Sequence, residues 1–139
     1  MTFCSDNYPN DPTITDDTDL FRRIPRWHVY YDKNLSRWRP SSAAFEDDSD
    51  GDPMSAYLSS VLARERRNPS TVLAGHEGYS LASITAALAR RNNQTVHPSP
   101  EPDETSHAAI CGDKGKNKKS APKRQFASNA TWFVLKPPA

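Results

Sequence analysis

Hydrophobic positions fall along this chain in short separated runs. From Trp27 to Tyr31 the run Trp-His-Val-Tyr-Tyr is rich in aromatic and β-branched residues and lies between Pro25 and Pro40, which predicts an extended strand. Met54, Tyr57, Leu58, Val61 and Leu62 then recur at i, i+3, i+4, i+7 and i+8, one apolar stripe of helical period. Asp52 is placed to cap that helix, Pro53 suits its first position, Arg64, Arg66 and Arg67 suit its last turns, and Asn68-Pro69 stops it. Ser70 to Ala74 predicts a short turn closed by Gly75. Leu81, Ile84 and Leu88, with Ala82, Ala86, Ala87 and Ala89 between and around them, predict a second helix that begins between Ser80 and Ser83 and ends at Arg90-Arg91-Asn92-Asn93.

The second half is read in shorter pieces. Thr95 to His97 is a short extended segment, His97 to Ser106 a Pro-rich loop, and His107 to Cys111 an apolar strand candidate. Pro122 opens a last short helix carrying Phe126, Ala127 and Ala130, and Thr131 to Leu135 is a strand by propensity. Strands and helices mix without a regular βαβ alternation. The expected class is therefore α+β, with two or three helices packed on one small, mostly antiparallel sheet.

Composition modifies this at both ends. Only 35% of the residues are hydrophobic, and prolines number 12. Residues 1–19 hold five Asp, two Pro and no Lys or Arg, and are expected to form a disordered acidic tail, leaving 20–139 as a single α+β domain. Residues 112–124 carry six basic residues against one acid and are expected to be a flexible basic loop. Lys plus Arg total 18 and Asp plus Glu 17, so overall charge argues neither for nor against a polyanionic partner. Met1 to Leu20 lacks the basic and apolar blocks of a secretory signal, and no apolar run approaches the ~18 residues of a membrane span. Cys4 and Cys111 fit no zinc or redox spacing, so a soluble chain with reduced thiols in the cytoplasm is expected.

Four constellations carry candidate chemistry. Arg22, Arg23 and Arg39, among Trp27, Tyr30, Tyr31 and Trp38, combine phosphate-pairing guanidinium groups with stacking surfaces; the competing reading is an aromatic strand facing the core. Ser41 and Ser42, after Arg39-Pro40, offer hydroxyls and backbone N–H groups to an anion, or simply satisfy a turn. His107 follows a loop containing Asp103 and Glu104, a setting for a general acid or base; a hydrogen-bonded structural histidine is the alternative. A metal set of His97, His107 and Cys111 matches no familiar pattern, and no cofactor motif is read. Lys114, Lys116, Lys118, Lys119, Lys123 and Arg124 are candidate contacts to nucleic acid or a partner, or a solvated loop.

The chain resembles a group of small bacterial proteins without an established activity. The resemblance rests on Leu20-Phe21-Arg22-Arg23-Ile24, on Arg39-Pro40-Ser41-Ser42 with Phe45, on the acidic stretch Glu46 to Asp52, on Ser55 in its helix, and on the Pro-rich loop and His107-Ala108 strand, over roughly residues 20–136. It implies an accessory gene of a bacterial operon, in a conflict or defence context, and no particular reaction. A fainter likeness links Arg22 or Arg23, with Ser41 and Ser42, to the dinucleotide clamp of ADP-ribosyltransferase-like toxins, although no late catalytic Glu follows on a strand. Two functions are expected. The first is a non-enzymatic binding or accessory module whose partner is another protein. The second is a small enzyme or toxin acting on a nucleotide or nucleic acid through Arg23, Arg39, Ser41 and His107.

Overall fold

In this computed structural model, which describes residues 3–49, 51–115 and 121–138, a six-stranded antiparallel sheet is the frame. Its strands are β1 (Asp19–Ile24), β4 (Met54–Leu58), β5 (Ser80–Thr85), β6 (Thr95–Pro98), β7 (His107–Cys111) and β8 (Thr131–Val134), in the order β6-β7-β4-β1-β5-β8. Strands β2 (Val29–Asp32) and β3 (Arg37–Pro40) form a separate hairpin. Four α-helices are described: α1 (Phe3–Asn7), α2 (Ser59–Arg64), α3 (Ala86–Arg91) and α4 (Ala121–Asn129). The α+β class holds, but only α4, at nine residues, exceeds two turns. Among the described residues no helix is long and apolar enough to cross a membrane.

The two helices expected over 53–67 and 80–91 are each a strand followed by a short helix. Along β4, Met54, Ala56 and Leu58 enter one core cluster while Tyr57 enters the other, on the opposite side. Both faces of the sheet are covered, so alternation of polarity is lost and the apolar run imitates helical spacing. The backbone changes period at Ser59, where α2 begins. In β5, Leu81 belongs to one cluster and Ala82 and Ile84 to the other, before the Thr85 side chain accepts from the Leu88 N–H at 3.1 Å and starts α3. Asn93, in the left-handed region at φ 63°, terminates that helix.

The larger cluster gathers Leu20, Ile24, Met54, Leu58, Ile84, Val96 and Ile110 with Phe45 and Phe126, whose rings meet edge to face at 6.1 Å. It carries α3, α4 and the 3-10 turn Ser42–Phe45. The smaller cluster joins Phe21, Tyr57 and Leu81 to Leu62 of α2 and to Val72 and Leu73 of the 3-10 turn Pro69–Leu73.

The expected disordered tail does not describe residues 3–18. They form a strap across the sheet edge and α3. A Cys4–Cys111 disulfide joins it to β7, with Cα atoms 5.6 Å apart. Asp11 N–H donates to Val96 O, Ala86 and Ala87 N–H donate to Thr18 O and Asp16 O, and Arg90 grips Asn10, Asp11 and Asp16. Ile14 is buried in the larger cluster. A single arginine and the disulfide thus offset the low apolar content. The two cysteines, expected as reduced thiols, are paired because the fold brings together positions 107 residues apart.

Candidate functional site

Strands β4 and β7 pair antiparallel with Ser55 opposite Ala109 and Tyr57 opposite His107. Ser55 and His107 therefore project on the same face, one diagonal step apart. His107 Nδ1 lies 2.8 Å from the Ser99 carbonyl oxygen and Nε2 lies 3.0 Å from Ser55 Oγ. Ser55 Oγ is also hydrogen-bonded to Asp48 Oδ2. Asp48 Oδ1 in turn accepts from the Arg22 guanidinium at 3.1 Å.

Arg22 holds its place because β1 and β4 pair only at Leu20↔Leu58 and Phe21↔Tyr57 and then separate. Its guanidinium fills the gap, donating to the carbonyls of Ala44 at 3.0 Å, Ser55 at 2.8 Å and Glu46 at 3.3 Å. One side chain thereby stands in for the missing ladder bonds and fixes the loop that carries Asp48. The chain Arg22–Asp48–Ser55–His107–Ser99 opens on a cleft of about 290 Å³, whose other lining includes Tyr8, Asp52 and Glu101.

Proton counting limits what this chain does. The Ser99 carbonyl only accepts, so His107 Nδ1 carries a proton. Ser55 has one proton between two neighbours that both face its oxygen. The Ser55 hydroxyl donates to Asp48 Oδ2, and its oxygen also lies within hydrogen-bond reach of His107 Nε2. A hydroxyl within reach of one imidazole nitrogen, with the ring oriented through the other by a third group, is a geometry that nucleophile–base pairs use, although here the hydroxyl proton is turned to Asp48.

The loop entering His107 is clamped separately. Arg67 donates to Glu104 through two nitrogens, at 2.7 and 2.9 Å, and buried Ser106 donates to the same carboxylate at 2.7 Å. The Arg67 hydrogen bonds hold the Glu104 carboxyl down at about 2, and the pairing raises Arg67 above its ordinary value. Glu104 was expected beside the His107 ring; instead its backbone carbonyl accepts from His107 N–H and its side chain faces Arg67. Asp103 is exposed on the loop. Tyr57 meets His107 edge to face at 5.9 Å, and burial pushes its phenol up.

The remaining candidates do not converge on one anion site. Arg23 donates to Val72 O at 2.7 Å and lies 4.6 Å over the Tyr57 ring. Arg39 is on the far hairpin, bound to Asp32 at 3.0 Å and Ser128 at 3.3 Å. Ser41 Oγ lies 3.0 Å from His28 Nδ1, on a histidine whose pKa burial lowers, and Ser42 opens the 3-10 turn. The three arginines bind different partners, with Arg39 Nε buried and unpaired among the described residues, and no dinucleotide clamp of Arg22 or Arg23 with Ser41 and Ser42 is assembled. Lys114 and Lys123, expected on a flexible basic loop, are buried instead. Lys114 donates to Asp47 at 2.7 Å and to the Ile110 and Gly112 carbonyls, and Lys123 reaches Glu46 at 3.2 Å from within α4. Burial pushes the Lys114 ammonium below its usual value, against the pull of Asp47. Arg124 is exposed; Lys116, Lys118 and Lys119 lie outside the described residues. Cys111 is in the disulfide, which removes the thiolate from the set with His97 and His107, and His97 faces Pro9 O at 2.8 Å. Among the described residues no group of three His, Cys, Asp or Glu is placed to hold a metal.

A second surface is formed by the hairpin. Trp27, Tyr30, Tyr31 and Leu35 are exposed, Trp27 at 74%. Tyr31 and Trp38 wall a groove of about 280 Å³ with Trp132, Ala127 and Leu135. The aromatics expected in a core strand lie largely outside because Val29 alone of β2 is buried.

His107 and Arg22 of this network are candidates in the sequence, Arg22 as a phosphate ligand where its guanidinium holds backbone carbonyls and Asp48; Asp48, Ser55 and Ser99 are not among the candidates. The signal was present in another form. The Leu-Phe-Arg-Arg-Ile segment, the acidic stretch, Ser55 and the His-Ala strand each contribute one member of the network. Comparison with known proteins adds no analogue: no family model, no curated protein and no solved structure matches the chain.

Proposed function

We propose that the cleft beside the β4–β7 pair is the active site of a small hydrolase that transfers an acyl group through Ser55. The Ser55 hydroxyl turns from Asp48 to His107, which takes its proton as the oxygen bonds the acyl carbon and passes it to the leaving group; water reverses the steps and releases the acid. The Ser99 carbonyl fixes the His107 tautomer, and Asp48 with Arg22 holds the Ser55 side chain. The observation that carries the reading is the pair of contacts at His107, Nε2 to Ser55 and Nδ1 to a backbone acceptor, at the wall of an open cleft. Asp48, Asp52 and Glu101 on that lining favour neutral or cationic acyl compounds over phosphate esters. This moves the enzyme reading away from nucleotides.

Hydrolysis of p-nitrophenyl esters with neutral, anionic and cationic acyl chains tests it. Ser55→Ala and His107→Gln should lower kcat about 100-fold or more with unchanged melting temperature. Turnover retained by both variants contradicts it.

A binding role is favoured by one separate observation. The exposed Trp27, Tyr30 and Tyr31 lie beside Lys33 and Arg37, which form no ion pair among the described residues. On this reading the hairpin docks another protein, and the chain is an accessory module, as the likeness to the bacterial group implies. A cytoplasmic location belongs to the same proposal; a disulfide there is characteristically transient or redox-sensing.

A further inference from the structure

We propose that the Cys4–Cys111 disulfide is a redox latch on the N-terminal strap, and that its reduction by a dithiol widens the His107 cleft at its Tyr8 edge. This rests on the hydrolase reading for its consequence, though not for its structural content. Tyr8 belongs to the strap and lines the cleft. Between Phe3 and Pro9 the strap is held to the sheet by the disulfide, by Thr95 Oγ1 donating to Tyr8 O at 2.7 Å, and by the His97 ring at Pro9 O and against Tyr8. From Asn10 onward it is held much more firmly, by Arg90, by the Val96 backbone and by buried Ile14. The disulfide is the covalent tie on the part of the strap that bears Tyr8, added to the contacts at Thr95 and His97, whereas the contacts of Asn10, Asp11, Ile14 and Asp16 do not depend on it.

The two sulfur atoms are also unequal in access. Cys4 is half-buried and Cys111 is 3% exposed. A thiolate of the dithiol attacks Cys4 Sγ, the S–S bond breaks, and Cys111 leaves as a thiolate that takes up a proton. The second thiol of the reductant resolves the mixed disulfide. Two electrons and two protons end on Cys4 and Cys111, and the dithiol becomes a cyclic disulfide.

The test compares the oxidised chain, the chain reduced with dithiothreitol and alkylated, and the Cys4→Ala variant. Each is treated with diethyl pyrocarbonate, and modification of each histidine is followed by mass spectrometry. Amide exchange at Tyr8 and Asp11 is measured in parallel. The latch predicts a several-fold faster reaction at His107 in the reduced chain and in Cys4→Ala, an unchanged rate at His76, faster exchange at Tyr8 and retained protection at Asp11. Equal His107 rates in all three forms overturn it. So does a general rise at every histidine with loss of protection at Asp11, which makes the bond a global staple. If His107 reacts faster but no ester is turned over in any form, the latch stands and the hydrolase reading fails.

Discussion

Arg22 illustrates how one side chain sets both fold and site. It donates to three backbone carbonyls and to Asp48, so its removal leaves the Ala44, Ser55 and Glu46 acceptors short of partners where β1 and β4 separate. Arg22→Ala should cost about 2–4 kcal/mol in urea unfolding, and Arg22→Lys should recover little of it, since a point charge cannot match a fork of donors. Glu104 gives a pH signature. Its carboxyl is held at about 2, below the ordinary 4.5, so its stabilising contribution is complete above pH 4.5 and is lost as pH falls towards 2. Arg67→Ala should destabilise the chain by about 2 kcal/mol at neutral pH and flatten that acid limb in unfolding curves recorded between pH 5 and 2. Neither role was legible in the sequence: nothing local to Arg22 or Arg67 indicates a partner 26 or 37 positions away.

At the scale of elements, legibility followed burial. The strands over Thr95–His97, His107–Cys111 and Thr131–Leu135 and the helix after Pro122 are where the residue pattern places them, because each is a single element with strong propensity. The segments after Pro53 and Ser80 are each two elements joined without a loop. A strand covered on both faces followed at once by a helix gives apolar residues at both periods, and a window that spans the junction reads helix. The strap failed for a related reason. Its composition predicts disorder, but Ile14, Cys4 and the Arg90 acceptors act on distant partners. Helix α4 has little apolar stripe of its own and depends on Phe126 against Phe45. Phe126→Ala should cost about 3–5 kcal/mol in denaturant unfolding; a loss below 1 kcal/mol contradicts this packing.

At the scale of the whole molecule, the sheet presents two unlike surfaces. One is the cleft at β4 and β7, with its hydrogen-bond network and the strap at its edge. The other is the aromatic hairpin, beside α4 and β8. The α+β class and His107 as a candidate were legible from residue pattern; the chain of contacts from Arg22 through Asp48 and Ser55 to His107 and Ser99 was not, since only the pairing of β4 with β7 and the parting of β1 from β4 create it.

The central claim is that His107 activates Ser55. A fluorophosphonate probe, which forms a stable bond only with activated serines, tests it directly when the labelled peptide is mapped by mass spectrometry. The account predicts a label on Ser55 in the native chain and none in His107→Ala of unchanged circular dichroism. No label on Ser55, or equal labelling in the His107→Ala variant, would contradict it.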